Sequence, residues 1–177
     1  MKTKFNPSNL KQAIVSAIAL GSITLGIHSN ADTGISIMNV SATVKHSCSM
    51  KTSPMAFGVY DGVVANASNA LEATATVIST CISGAAALIT MNSGASAGSG
   101  LDDAPVRRMT TGAAEYLVYQ VYSDVYRNKI WGNTVPTGVA LTGTGAPQSL
   151  TVYGSIPSAQ IVPEGNYSDQ IFVTITY

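Results

Sequence analysis

The sequence predicts an all-β protein, a two-layer sandwich of about seven or eight strands. Three observations carry this. Residues 171–177 read IFVTITY, with Ile171, Val173, Ile175 and Tyr177 on one face and Phe172, Thr174 and Thr176 on the other. That period-two alternation of β-branched and aromatic residues is the pattern of a half-buried strand. Short apolar stretches of the same kind recur between clusters of Gly, Ser, Asn and Pro, and no long helical periodicity follows residue 31.

The elements follow in order. Met38, Val40, Ala42 and Val44 alternate ahead of Cys48 and predict a first strand. Ile35 and Ile37 alternate in the opposite phase, so that strand breaks or bulges near Met38. Phe57–Gly62 (FGVYDG) predicts a short strand entering a turn. Leu71–Cys81 is a longer strand with Ala73, Ala75, Val77, Ser79 and Cys81 on one face. Ala86–Met91 is the next, and Ser93–Gly100 (SGASAGSG) is a flexible loop. Tyr116–Tyr122 (YLVYQVY) places Leu117, Tyr119 and Val121 on one face. Asp124–Asn128 reads as a hairpin connection, after which Lys129–Gly132 returns. Gly138–Pro147 reads as a Gly/Thr-rich loop, Ser149–Ile156 as a strand and Pro163–Asn166 as a turn. A strand at the end of the chain has no following segment to cover its edge, and an open edge invites pairing with another chain. With a second alternating segment near residue 40, the chain reads as a building block that assembles by strand exchange.

Residues 1–31 read as a secretory signal peptide. Lys2, Lys4 and Lys11 supply the basic region, Ala13–Ile27 the apolar run, and Ser29-Asn30-Ala31 the cleavage signal. The run is shorter than the ~20 residues that a spanning helix needs. Cleavage would leave six basic against nine acidic residues, a formal charge of −3. That balance argues against nucleic acid or an anionic membrane as partner. The remaining 145 or so residues suit one domain, which buries roughly two thirds of its surface. Only 10% of the whole chain is charged, so its surface tolerates close contact with copies of itself. Cys48 and Cys81 are an even pair in an exported chain, which predicts a disulfide. A metal pair or a reactive thiol is the alternative, and His46 is the single histidine left after cleavage to assist either.

The sequence carries no enzyme signature, and no catalytic, cofactor-binding or metal-binding residues are assigned. A Ser-His-Asp arrangement would depend on His46, which reads better as a surface residue. Asp102-Asp103 adjoins a Gly-rich loop but lacks the alternating ligands of a calcium loop, and reads as solvated. Gly143-Thr144-Gly145 lacks the spacing and the lysine of a phosphate loop. Arg107 and Arg108 read as surface arginines rather than an anion seat. Tyr116, Tyr119, Tyr122, Tyr126 and Trp131 could form a sugar platform, but aromatics at alternating strand positions more often fill a core. The N-x-S triplets at Asn39, Asn66 and Asn166 matter only where the source glycosylates.

Several blocks together resemble the spore coat protein U domain family, which includes pilins of the archaic chaperone–usher pili. They are FGVYDG (57–62), VISTCISG (77–84), Arg108-Met109, YLVYQVYSDVYRNKIWGN (116–133) and GNYSDQIFVTITY (165–177). The resemblance covers nearly all of residues 32–177. It implies an incomplete immunoglobulin-like sandwich whose last strand is supplied in trans. It implies a donor-strand extension over 32–44, drawing on Ile35, Ile37, Met38, Val40, Ala42 and Val44, and a pilin domain over 45–177. Ile171, Val173, Ile175 and Tyr177 would then border the acceptor groove. The implied partners are a periplasmic chaperone, an outer-membrane usher and other copies or related pilins. The implied destination is the cell surface, in an adhesive, biofilm-promoting fibre. A coat protein of spores or cysts from the same family and a small outer-membrane β-barrel are the alternatives.

Overall fold

The computed structural model describes residues 32–96, 98 and 100–177. Residues 1–31, which the sequence reads as a signal peptide, lie outside the described residues. The chain divides into two compact units, Met1–Ser41 and Ala42–Tyr177. In the first unit, residues 32–41 carry no regular secondary structure.

Among the described residues the second unit holds eight strands: β1 (Cys48–Thr52), β2 (Leu71–Cys81), β3 (Ala86–Met91), β4 (Arg107–Thr110), β5 (Tyr116–Tyr122), β6 (Val139–Thr142), β7 (Gln148–Ile156) and β8 (Val173–Thr176). They form a five-stranded sheet of order β1-β2-β7-β5-β4 and a three-stranded sheet of order β6-β3-β8. The all-β sandwich expected from the sequence is therefore the observed fold. Both sheets are open at their edges, unlike the closed sheet of an outer-membrane barrel. Every ladder between named strands is antiparallel. The long β2–β7 ladder, from Leu71 opposite Ile156 to Ser79 opposite Gln148, is the spine of the larger sheet.

Alternation decides which side chains enter the core. On β2, Val77, Ser79 and Cys81 are buried, and on β5 Leu117, Tyr119 and Val121 are. Ile89 and Met91 of β3 and Val152 and Ile156 of β7 complete the main cluster, with Trp131 at 1% exposure. The indole N–H of Trp131 donates to the Ile89 carbonyl at 2.9 Å, which gives a buried polar group its partner. Cys48 and Cys81 face each other across the β1–β2 ladder and form the expected disulfide.

Four expectations are corrected. Residues 38–44 form no strand in the single chain, and Ile35, Ile37, Met38, Val40 and Val44 are each more than 80% exposed. Alternation prepares a strand, but the strand exists only when a neighbour satisfies its backbone. Phe57–Gly62 is not a strand either. Asp61 Oδ1 accepts from the backbone N–H of Val63 (2.9 Å) and Val64 (3.0 Å), while Asn66 Oδ1 accepts from that of Asp61 (3.1 Å). These local bonds compete with a ladder and make a turn. The Gly138–Pro147 loop contains β6, because Val139–Thr142 finds β3 alongside. Finally, Arg107 lies inside the protein on β4, a strand the sequence reading missed.

The disulfide spans a sequence separation of 33. In the loop-entropy model, replacing both cysteines by serine lowers the unfolding free energy by about 3–4 kcal/mol. Urea unfolding of the paired variant measures this, and an unchanged midpoint would show that the disulfide adds nothing.

Candidate functional site

The second sheet ends at β8, whose one strand neighbour is β3. Between β8 and the chain running on from β1 lies a groove of about 290 Å³. Thr52, Ser53, Met55 and Phe57 form one wall, and Ile171 and Val173 the other. Its floor is the core itself, including Ala75, Val77, Tyr119, Val121 and Val152. The core is thus open to solvent along one line, beside a strand edge. The edge of β8 offers backbone groups and the groove floor offers apolar surface.

Local chemistry holds both walls. Phe57 meets Tyr119 edge to face, with ring centroids 6.2 Å apart. Met55 and Phe57 lie against β7 because residue 154 is glycine; a Cβ there would collide with both side chains. On the other wall, Asn92 continues the β3–β8 pairing beyond the strands. Its N–H donates to the Phe172 carbonyl (3.1 Å), and its Oδ1 accepts from the Phe172 N–H (2.8 Å). Asp169 anchors the approach to β8. Its Oδ2 accepts from the Tyr119 hydroxyl (2.7 Å) and its Oδ1 from the Ser96 N–H (2.9 Å). Tyr167 donates to the Pro163 carbonyl at 3.0 Å. The G-x-Y-x-D block at 165–169 thus sets where β8 begins.

Arg107 ties these parts together from within. Its side chain donates to the carbonyls of Asn92 (2.9 Å), Met91 (3.1 Å) and Trp131 (2.7 Å) and to Gln120 Oε1. Burial pushes its pKa down to about 10, opposed by the negative charge of Asp169, and it remains a cation at neutral pH. Burial and then the bond to Asp169 hold the Tyr119 hydroxyl well above the usual phenol range.

The predicted site residues divide as follows. Ile171 and Val173 line the groove, and Ile175 packs where the main core meets the small cluster of Cys81, Ala85 and Ala87. Tyr177 is 55% exposed. Of the aromatic set, Tyr119 and Trp131 are core, Arg108 lies over the Tyr116 ring at 3.8 Å, and Tyr126 is exposed. No sugar platform is assembled from them. Asp102 and Asp103 sit in an exposed loop, and His46 is exposed. Among the described residues no three His, Cys, Asp or Glu stand together as metal ligands. Sequence reasoning missed the Met55–Phe57 wall and the Asp169 and Arg107 anchors. The inward phase of Tyr119 was legible, but its partner 50 residues away was not.

Two predictions follow from these anchors. Arg107→Met leaves buried carbonyls without a donor and should destabilise the fold by about 3 kcal/mol or more, at ~1–3 kcal/mol for each orphaned group. Thermal or urea unfolding reads this, and a loss under 1 kcal/mol would mean water replaces the guanidinium. The raised Tyr119 pKa favours the neutral phenol in the folded chain. Its contribution is complete below the unfolded value of about 10 and is lost as pH rises above it. The lowered Arg107 pKa acts in the opposite sense over the same range. Tyr119→Phe should therefore remove an alkaline loss of stability that the parent shows, in unfolding curves taken across that range.

The comparisons with known proteins agree with this architecture. The sequence model of the Spore Coat Protein U domain matches residues 35–174. "Protein U" of Myxococcus xanthus is 35% identical over 176 residues, covering 95% of this chain and 98% of the relative. A solved structure also shares the fold, with a TM-score of 0.53 at 16% identity. It is the CsuC–CsuE chaperone–tip adhesion subunit pre-assembly complex from archaic chaperone-usher Csu pili of Acinetobacter baumannii. The match takes in 76% of this chain but 40% of that one, so this chain spans less than half the matched chain's length. With a family match over most of its length, the chain belongs to the Spore Coat Protein U domain family.

Proposed function

We propose that this protein is a fibre subunit that assembles by strand exchange, as a pilin of an archaic chaperone–usher pilus. One observation carries the reading. The groove beside β8 opens into the apolar core, and the same chain carries an unpaired, exposed apolar segment at residues 35–44. The segment alternates as a strand would, and each of its plugs contributes about 1.5–3 kcal/mol on full burial. Inserted into the groove of a second copy, Met38, Val40, Ala42 and Val44 would fill the pockets while the backbone extends the β8 edge. Ile35 and Ile37 belong to the same donor region. Ile171, Val173, Ile175 and Tyr177 would border the inserted strand. A fibre so linked dissociates slowly without a covalent bond between subunits.

The fold shared with a chaperone-bound pilus subunit supports a periplasmic chaperone as the first occupant of the groove. An outer-membrane usher would then exchange it for the next subunit, and export would rely on residues 1–31. The fibre would stand at the cell surface and serve adhesion and biofilm formation. The family's name favours a second reading, an assembled spore or cyst coat. Neighbouring genes for a chaperone and an usher favour the pilus, and their absence favours the coat.

The test moves residues 32–44 behind Tyr177 through a flexible linker. Self-complementation should raise the melting temperature by well over 10 °C and yield a monomer, given that 1 kcal/mol is worth about 2–8 °C. Equal melting temperatures would sink the incomplete-fold reading. Val40→Asp in the unrearranged chain should block polymerisation and leave chaperone binding intact. Normal fibres from it would place the donor elsewhere.

A further inference from the structure

The free edge beside the groove begins before β8 does. Ser168 exchanges backbone bonds with Thr110, both at 3.0 Å. The Gln170 carbonyl accepts from the Ala95 N–H (2.9 Å) and the Phe172 carbonyl from the Asn92 N–H (3.1 Å). These even-numbered residues turn their backbone groups to one side. Backbone groups alternate along an extended chain, so Asp169 and Ile171 turn theirs to the other side, toward the groove. Side chains alternate too. Asp169, Ile171 and Val173 line the groove, whereas Gln170 and Phe172 are exposed.

Asp169 is the one charged residue among those that line the groove. Gly94, at φ 91°, gives its carboxylate room, since a Cβ there would collide with it. The bonds from the Tyr119 hydroxyl and the Ser96 N–H leave the carboxylate able to accept a third donor. The donor region carries a complementary group. His46 is the single histidine of residues 32–177, and it is exposed. Its own domain takes hold of the chain one residue later, where the Ser47 carbonyl accepts from the Ile82 N–H at 3.1 Å. His46 also keeps the phase of Met38, Val40, Ala42 and Val44.

The alternating stretch 38–44 and the edge stretch 171–177 are both seven residues long. Every ladder between named strands is antiparallel, the pairing with the better hydrogen-bond geometry. An antiparallel insertion in full register sets Met38 opposite Tyr177 and Val44 opposite Ile171. Two residues further on, His46 falls opposite Asp169 and on the same face. A slip of two residues one way sets His46 against Ile171. A slip the other way sets Val44 against the Asp169 carboxylate and His46 against Tyr167. Of the three registers, the full one alone matches each apolar plug with an apolar or aromatic residue and the imidazole with the carboxylate.

We propose that His46 is the polar plug that ends the donor strand: in the fibre it docks on Asp169 of the neighbouring copy and fixes the register of insertion. This rests on the fibre reading above. An imidazole N–H donates to the free lone pairs of the carboxylate, and the bond is charge-assisted. A two-residue slip keeps the apolar alternation but loses this contact, so the contact separates registers that the plugs leave equivalent.

The test uses the full chain, exported and assembled in its own cells. In the full register Lys45 stands opposite Gln170, as a pair whose backbone groups turn away from each other. Such pairs bring their Cα atoms to about 4.5 Å, within reach of a disulfide. The double variant Lys45→Cys with Gln170→Cys should therefore give fibres that run as a covalent ladder on a denaturing, non-reducing gel, and the two single variants should not. His46→Asp sets two carboxylates against each other and should slow assembly about tenfold or more. His46→Lys keeps a cation and should assemble at close to the parent rate. His46 is exposed in the isolated chain, so both variants leave the fold intact. Fibres of the double-cysteine chain without a ladder, or parent-rate assembly of His46→Asp, would overturn the proposal. A loss in His46→Lys as deep as in His46→Asp would overturn it as well. If Val40→Asp still blocks assembly in those cases, the fibre reading stands. If the parent chain forms no fibres, the fibre reading falls and the contact with it.

Discussion

The guanidinium of Arg107 is a cation sealed inside a β-sandwich, and the neighbouring segments must be arranged to serve it. Leaving it without acceptors would cost several kcal/mol. Its fork takes carbonyls from the end of β3, from Asn92 and from Trp131, together with the amide of Gln120 on β5. A lysine, with its compact ammonium group, could not span those directions. The requirement brings the end of β3 and the Trp131 return to one point, beside β4 and β5. Asn92, held there by its carbonyl, uses its side chain and N–H to bind Phe172. The position of β8, and so of the groove's far wall, therefore depends on a charge that never meets solvent.

That rigid wall explains how a sandwich can keep an opening into its own core. A groove floored by Val77, Tyr119, Val121 and Val152 would collapse if its walls were free to move together. On one side Asp169 is fixed by Tyr119 and Ser96, and on the other Met55 and Phe57 rest on Gly154. The opening is thus maintained by polar bonds and steric fit, while the apolar surface it exposes favours an occupant. On the proposed function, a strand supplied by another chain would resolve both demands at once, covering the floor and pairing with the edge.

Low surface charge bears on how contacts between copies would be selected. With 10% charged residues in the whole chain, most of the surface offers little electrostatic discrimination. Apolar plugs would supply affinity but only coarse register, because a slip of two residues preserves their alternation.

By itself the sequence determined the strands whose pattern is local. Leu71–Cys81, Ala86–Met91 and Tyr116–Tyr122 were legible to the residue, because each alternates over a length that one partner strand can cover. The disulfide was legible because two cysteines allow one pairing. The family blocks were legible as well. Tertiary structure alone decided the rest. Val139–Thr142 is a strand only because β3 lies beside it, and residues 38–44, with better alternation, form none in the isolated chain. Arg107 looked like a surface residue because charge in a sequence reads as solvation. Its acceptors are mainly backbone carbonyls from other segments, and a carbonyl belongs to every residue and marks none of them. The groove was equally invisible, since a cavity is the space between Thr52–Phe57 and Ile171–Val173, which lie more than a hundred residues apart. Period-two alternation encodes which way a side chain points; what it meets there is set by chain segments that no local pattern can name.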